Sequence, residues 1–377
     1  MTISRILFEL LQVSLGNRDR LTYTPSAEEW HAVLELASRQ TVVGTCLPAL
    51  TRLKQQVHEK KKEKVGIERM ERNTFLHWLV LSLQIERKNS IINEQCVEIQ
   101  RFFKKAGWRS CILKGQGVGA YYGELACFRS SGDIDIWVDA KNDELIDFVQ
   151  RNCSGRKLDV SSKHIEMPYF KDTIVEVHFK PSGMAAFPYK HRMATFYNTQ
   201  KRYQMDHKVA LSDGNVITSP DHIFNSIFIL NHIFCHFIFE GVGLRQMMDW
   251  YFVMTSDFTS KEQEIILRVL KNTGLYKFAQ AAAYILIEVF GMRRERLFIP
   301  VDQKAGLKML YTIIEEGNMG KYDENRKRVN TNLPLARFVY HTRRQIKFFA
   351  LCPAEVLWSP ISRFLEYFWR VKNDYIR

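Results

Sequence analysis

Residues 132–139, GDIDIWVD, alternate with a period of two. On an extended strand this puts Asp133, Asp135 and Trp137 on one side and Ile134, Ile136 and Val138 on the other. The apolar side suits a sheet packed under helices, so the segment predicts an α/β element rather than a surface loop. The polar side is harder to explain. It carries two like charges separated by roughly 6.6 Å, two residue rises, and their repulsion is on the order of 1 kcal/mol in water-like surroundings and greater when buried. Two acids held this way ask for a cation, and a hard divalent ion that takes oxygen ligands answers the need. The plain alternative is a pair of surface acids at a turn or edge strand.

Neighbouring segments favour the first reading. SCILKG (110–115) is a short apolar run ending at Lys114 and Gly115, and TIVEVHF (173–179) alternates again. In the latter, Val175, Val177 and Phe179 form one face while Glu176 and His178 share the other. QGVGAYYGELACF and AKNDELIDFVQRNC, between these strands, read as helices, the second with Leu145, Ile146 and Val149 as its buried stripe. The order strand, helix, strand, helix, strand, strand predicts an α+β chain built on a mixed sheet. Glu176 is the natural third acid beside Asp133 and Asp135, and such a set can hold Mg²⁺ ions that clamp an attacking and a leaving oxygen.

Helical patterns flank the sheet. Ile3, Ile6, Leu7, Leu10 and Leu11 share a face, Ser26 followed by Glu28 and Glu29 reads as the start of a second helix, and 65–105 reads as one long helix or two stacked ones. From 218 onward helices return, opening at Ser219-Pro220-Asp221. The 377 residues therefore divide by texture into an N-terminal helical region (1–105), an α/β core (106–217) and a C-terminal helical domain (218–377). Trp358, Phe364, Tyr367, Phe368 and Trp369 read as helical packing in that last part.

The formal net charge of +13 suits a polyanionic partner without choosing one. Its densest local source, KQQVHEKKKEK (54–64), interleaves glutamates and lacks stacking aromatics, so it reads as a solvated helix surface or turn. Seven scattered cysteines without a CxxC pair argue for reduced thiols. No secretory leader pattern and no apolar run of about 20 residues stand out, so no membrane span and a cytoplasmic location are expected.

The ordered set ILKG, R-x-x-GDIDIWV, VEVHF, HIFCHF and GVGLRQMMDW, over roughly residues 75–260, resembles the uncharacterised nucleotidyltransferase family of the DNA polymerase beta-like superfamily. The resemblance implies a minimal nucleotidyltransferase sheet flanked by helical domains, with Asp133, Asp135 and Glu176 as catalytic metal ligands. It also implies Mg²⁺, or Mn²⁺, and a nucleoside triphosphate such as ATP as co-substrate. Where the superfamily has a Gly-Ser or Gly-Gly turn over the triphosphate, this chain has Lys114-Gly115-Gln116-Gly117, and its spacing to Asp133 is longer than usual. Lys114, Gly115, Arg129 and Gly132 are the candidate nucleotide contacts; for Lys114 and Arg129 a salt bridge to nearby acids is the alternative.

His232 and His236 lie four apart on one helical face, ten residues and more beyond His222. A zinc site would need a further ligand, and a metalloprotease a glutamate where Ile233 stands. The resemblance places His232 or His236 on a helical wall of the cleft, touching nucleotide or acceptor; a partly buried, hydrogen-bonded pair is the plain alternative. Arg245 is a further candidate substrate contact, although Arg245 and Asp249 at i, i+4 could simply pair with each other, and His178, on the face of Glu176, could orient a ligand or a water or pack beside the sheet. The expected activity is metal-dependent transfer of a nucleoside monophosphate, with pyrophosphate lost, to a small molecule, protein or RNA acceptor. Two other classes compete: a nucleotide-binding or helical scaffold protein with a vestigial centre, and a basic nucleic-acid-binding protein.

Overall fold

The computed structural model describes residues 2–59, 64–153, 158–327, 329, 333–373 and 375. Four helices come first: α1 (Ile3–Ser14), α2 (Ala27–Arg39), α3 (Val43–His58) and α4 (Arg72–Lys105). Thr2 caps α1, and α2 begins with the Ser26/Glu29 capping box that its sequence announces, each side chain satisfying the other's free backbone N–H. The span 65–105 resolves into one helix of 34 residues, α4. Within the lysine-rich run, Lys54 belongs to α3 and lies 3.8 Å over the Phe75 ring, while residues 60–63 fall outside the described residues.

The sheet follows in the predicted order: β1 (Ser110–Ile112), α5 (Gln116–Gly119) with a 3₁₀ continuation to Phe128, β2 (Ile134–Val138), α6 (Asn142–Asn152), β3 (His164–Met167) and β4 (Val175–His178). Spatial order is β1-β2-β4-β3. β2 and β4 run parallel with Asp135 opposite Glu176, and the other two pairings are antiparallel, so the sheet is mixed. Ile134, Ile136, Val175, Val177 and Ile165 pack against α4 and α6 through Ile99, Phe103, Leu145 and Val149. The opposite face turns toward the later helices, where Trp137 stacks on Phe224 at 6.1 Å.

After the sheet come α7 (Phe187–Gln204), the hairpin β5 (Lys208–Ala210) and β6 (Val216–Thr218), and a helical array: α8 (His222–Phe239), α9 (Leu244–Met254), α10 (Ser260–Asn272), α11 (Tyr276–Glu288) and α12 (Gln303–Glu316). α8 starts one residue after the Ser-Pro-Asp signal, with the Asp221 carboxylate accepting from the Phe224 N–H at 2.7 Å. By length and composition α8 could cross a bilayer, but it is mostly buried inside the protein, as a central core helix is. The N-terminal helices share this core. Arg5 pairs with Glu288 at 2.9 Å, Asn17 donates to the Tyr251 hydroxyl at 2.7 Å, and Gln40 donates to the Ile313 carbonyl at 2.9 Å. Chain that is remote in sequence thus forms one helical body behind the sheet.

The short α13 (Glu324–Lys327) precedes a helical hairpin, α14 (Pro334–Ile346) and α15 (Pro353–Lys372). Here the structure departs from the sequence reading. Trp358, Phe364, Tyr367 and Phe368 are not packed inside; all are exposed, Phe364 by 58%. All seven cysteines are free thiols.

Candidate active site

The β2–β4 register decides the site. Because Asp135 and Glu176 are lateral neighbours on parallel strands, their side chains leave the same face side by side. Asp133, just before β2, reaches the same place: one carboxylate oxygen each from Asp133, Asp135 and Glu176 lie within 4.8 Å of one another. Asp135 is buried, Glu176 half-buried and Asp133 exposed at the mouth. Asp133 and Asp135 open into a cleft between the sheet and α8–α9, whose lining also includes Lys114, Gly115, Gly132, His232 and Arg245, with Arg129 and Asp249.

Two groups of opposite charge character enter the cluster. Lys114 Nζ lies 2.7 Å from Asp135 Oδ1. His178 Nε2 stands 2.9 Å from the same oxygen and 3.3 Å from Glu176 Oε2. Burial alone would raise the Asp135 carboxyl, but Lys114 and His178 hold it well below the usual carboxylate range. Glu176 is also lowered, burial being outweighed chiefly by the His178 hydrogen bond. Burial works against a charged Lys114, yet Asp135, Glu176 and Asp133 together raise it. Asp133 moves the other way: desolvation in the cleft, then Asp135 and Glu176 beside it, push its carboxyl up despite Lys114. Three carboxylates face one ammonium and one imidazole, and Asp133 is the acid left without adequate compensation.

The turn after β1 has its own logic. Gly115 has φ +57°, a backbone conformation that favours glycine. A Cβ on Gly117 would lie 2.2 Å from Ser219 Oγ, so the second glycine serves close packing against the strand leading into α8. Gln116 between them is buried and accepts from Ser131 Oγ at 2.7 Å, tying the turn to the loop that delivers Asp133.

The sequence-singled arginines separate. Arg129 is buried and grips Asp249 with two parallel bonds, Nε to Oδ1 at 2.7 Å and Nη2 to Oδ2 at 2.8 Å, and Tyr122 donates to Asp249 at 2.6 Å. The guanidinium read as a phosphate contact is thus committed to a planar buried pair, the geometry that arginine fits best. The alternative i, i+4 ion pair of Arg245 with Asp249 is therefore not formed. Among the described residues, Arg245 donates to the Ser130 carbonyl at 3.3 Å and has no carboxylate at salt-bridge distance.

The histidines separate as well. His232 lines the cleft, and burial, then Lys114 and His236, keep its imidazole well below its ordinary range, hence neutral. His236 turns to Glu240 at 3.0 Å and His222 to Glu262 at 3.4 Å. His164 was missed by sequence reasoning: it sits opposite His178 on β3, with Nδ1 3.8 Å from Glu176 Oε2. The signal was HIEM, whose Ile165 and Met167 are buried, but four residues make a faint alternation.

A family model described as an uncharacterised nucleotidyltransferase matches residues 26–291. The chain belongs to that family. The match extends past both ends of the motif-bearing stretch, from α2 through α11, so the helices that wall the cleft belong to the family unit along with the sheet. No curated protein and no solved structure matches the chain.

The residues present fit a divalent ion. The donors are hard oxygens from two adjacent strands and the residue before one of them, they lie within 4.8 Å of one another, and one lysine leaves the cluster's negative charge incompletely balanced.

Proposed function

We propose that the chain transfers a nucleoside monophosphate from a nucleoside triphosphate to an acceptor hydroxyl or phosphate, releasing pyrophosphate, on a polymerase-beta-like sheet. The observation that carries this reading is the convergence of Asp133, Asp135 and Glu176 from β2 and β4 on one spot in a cleft. Mg²⁺, or Mn²⁺, held by these three acids would neutralise charge on the transferring phosphoryl group and activate the attacking oxygen. His178 keeps Asp135 and Glu176 aligned by bridging both. Lys114 and Arg245 are the cations available for the triphosphate, Lys114 by exchanging Asp135 for a phosphate oxygen, with the backbones of Gly115 and Gly132 alongside. His232, neutral, lines the wall where nucleotide or acceptor would lie. Positioning and charge balance supply the catalysis, since phosphoryl transfer asks little covalent chemistry of the protein. A cytoplasmic setting with ATP or another triphosphate completes the proposal; small molecule, protein and RNA all remain chemically able to accept.

One observation favours a second reading. Lys114 already neutralises Asp135, as it would in a vestigial centre that binds nucleotide without turnover. Incubation with each labelled triphosphate and Mg²⁺ in cell extract separates the two. Label fixed on an acceptor by the wild type and not by Asp133→Ala supports transfer. Triphosphate binding without metal-dependent pyrophosphate release, or equal labelling by both proteins, rejects it.

A further inference from the structure

We propose that the α14–α15 hairpin is a membrane-docking face for anionic lipid. α15 is amphipathic in the inverse of the usual sense. Its polar side faces the protein: Glu355 accepts from the Ala185 and Ala186 N–H groups at 2.6 and 2.9 Å, Glu366 accepts from the Ser162 N–H at 2.9 Å, Arg370 pairs with Asp159, and Ser359 is buried. Its apolar side faces out, with Leu357, Ile361, Phe364, Leu365, Phe368 and Val371 on one stripe at helical spacing, Leu365 exposed by 62%. α14 repeats the arrangement. Arg344 donates to the Phe237 carbonyl at 2.7 Å and His341 to the Phe239 carbonyl at 2.9 Å, while Leu335, Val339 and Ile346 are exposed, as is Phe349 in the turn that follows.

Such a surface exceeds the scattered exposed apolar residues of ordinary proteins and calls for a covering phase. Charge identifies that phase. Among the described residues of 333–373, Arg343, Lys347 and Lys372 are exposed, and both acids, Glu355 and Glu366, are turned inward. Arg343 on α14 and Lys347, its C-cap, lie one turn apart beside the apolar stripe. Bulky aromatics with lysine and arginine, and no outward carboxylate among the described residues of either helix, match an anionic bilayer surface, where rings sit among headgroups and basic side chains reach phosphates. A second copy fits worse, because it would bring two basic faces together without a carboxylate between them.

The full chain is tested by co-sedimentation with phosphatidylcholine vesicles, with and without a quarter of phosphatidylglycerol, after light scattering establishes its oligomeric state. The wild type is expected to sediment with the anionic vesicles and to stay largely in solution with the neutral ones. Phe364→Ser/Leu365→Ser/Phe368→Ser should weaken partitioning at least tenfold with an unchanged melting curve, because the replaced side chains are exposed. Arg343→Gln/Lys347→Gln should weaken binding to anionic vesicles several-fold and remove the preference for them. Absence of wild-type sedimentation, or binding unaltered in both variants, would overturn the proposal and leave the face to a protein partner. A wild-type dimer that the triple serine variant dissolves would overturn it in favour of self-association.

Discussion

Two charged clusters lie within the same wall of the cleft and differ in one respect, balance. In one, Arg129 meets Asp249 in a bidentate buried pair, completed by the Tyr122 hydroxyl and the Arg129 bond to Ser131. Burial would raise Asp249, but Arg129 holds its carboxyl below the ordinary range. In the other, Asp133, Asp135 and Glu176 share Lys114 and His178, and Asp133 stays raised. The closed pair balances its own charge, carboxylate against guanidinium, through two parallel hydrogen bonds. The open cluster sets three carboxylates against one ammonium and one imidazole, and that excess of negative charge is what the internal brace lacks.

Substitutions should therefore have opposite signatures at the two places. The largest effect is expected on activity: Asp133→Ala or Glu176→Ala should lower nucleotide transfer by about 10³-fold or more, in a radiolabel assay, while the thermal midpoint stays close to wild type. Activity surviving at a tenth of wild type would move the chemistry elsewhere. At the closed pair the loss should fall on stability. Asp249→Asn strands a buried guanidinium and should cost about 3–5 kcal/mol in urea unfolding, and a change under about 1 kcal/mol would show that the pair is not the brace described.

pH sharpens the contrast. Asp249 and Asp135 have depressed folded values, so their stabilisation is present above the unfolded carboxylate range and is lost as pH falls through the lower folded values. Asp249→Asn should flatten that acid limb in a series of thermal melts. Asp133 is raised in the fold, so its ionisation opposes stability once pH rises above the ordinary aspartate range. Asp133→Asn should give a small increase in Tm at neutral pH that disappears in acid. The smallest expected effect is on His178→Asn, which removes the bridge between Asp135 and Glu176; transfer should fall about tenfold, chiefly through weaker metal affinity.

How much of this the sequence reveals depends on the range of the interaction. The period of two in GDIDIWVD and TIVEVHF already fixes which acids share a face, because side-chain alternation is local, and Ser26 with Glu29 announces a cap for the same reason. The Arg129–Asp249 pair is different: its partners are 120 positions apart, and the local i, i+4 pairing of Arg245 with Asp249 competes for the same reading. His164 escapes notice because a four-residue strand barely shows its alternation. The C-terminal aromatics form a proper helical stripe, but a stripe says only that one face is apolar, and what covers it depends on the rest of the chain.

Titration of Mn²⁺ followed by electron paramagnetic resonance tests the central claim most directly, with wild type, Asp133→Ala and Asp249→Asn compared below their melting temperatures. Binding by the wild type and by Asp249→Asn, with loss in Asp133→Ala, is expected. Equal binding by wild type and Asp133→Ala, or no binding by the wild type in the presence of nucleoside triphosphate, would contradict it.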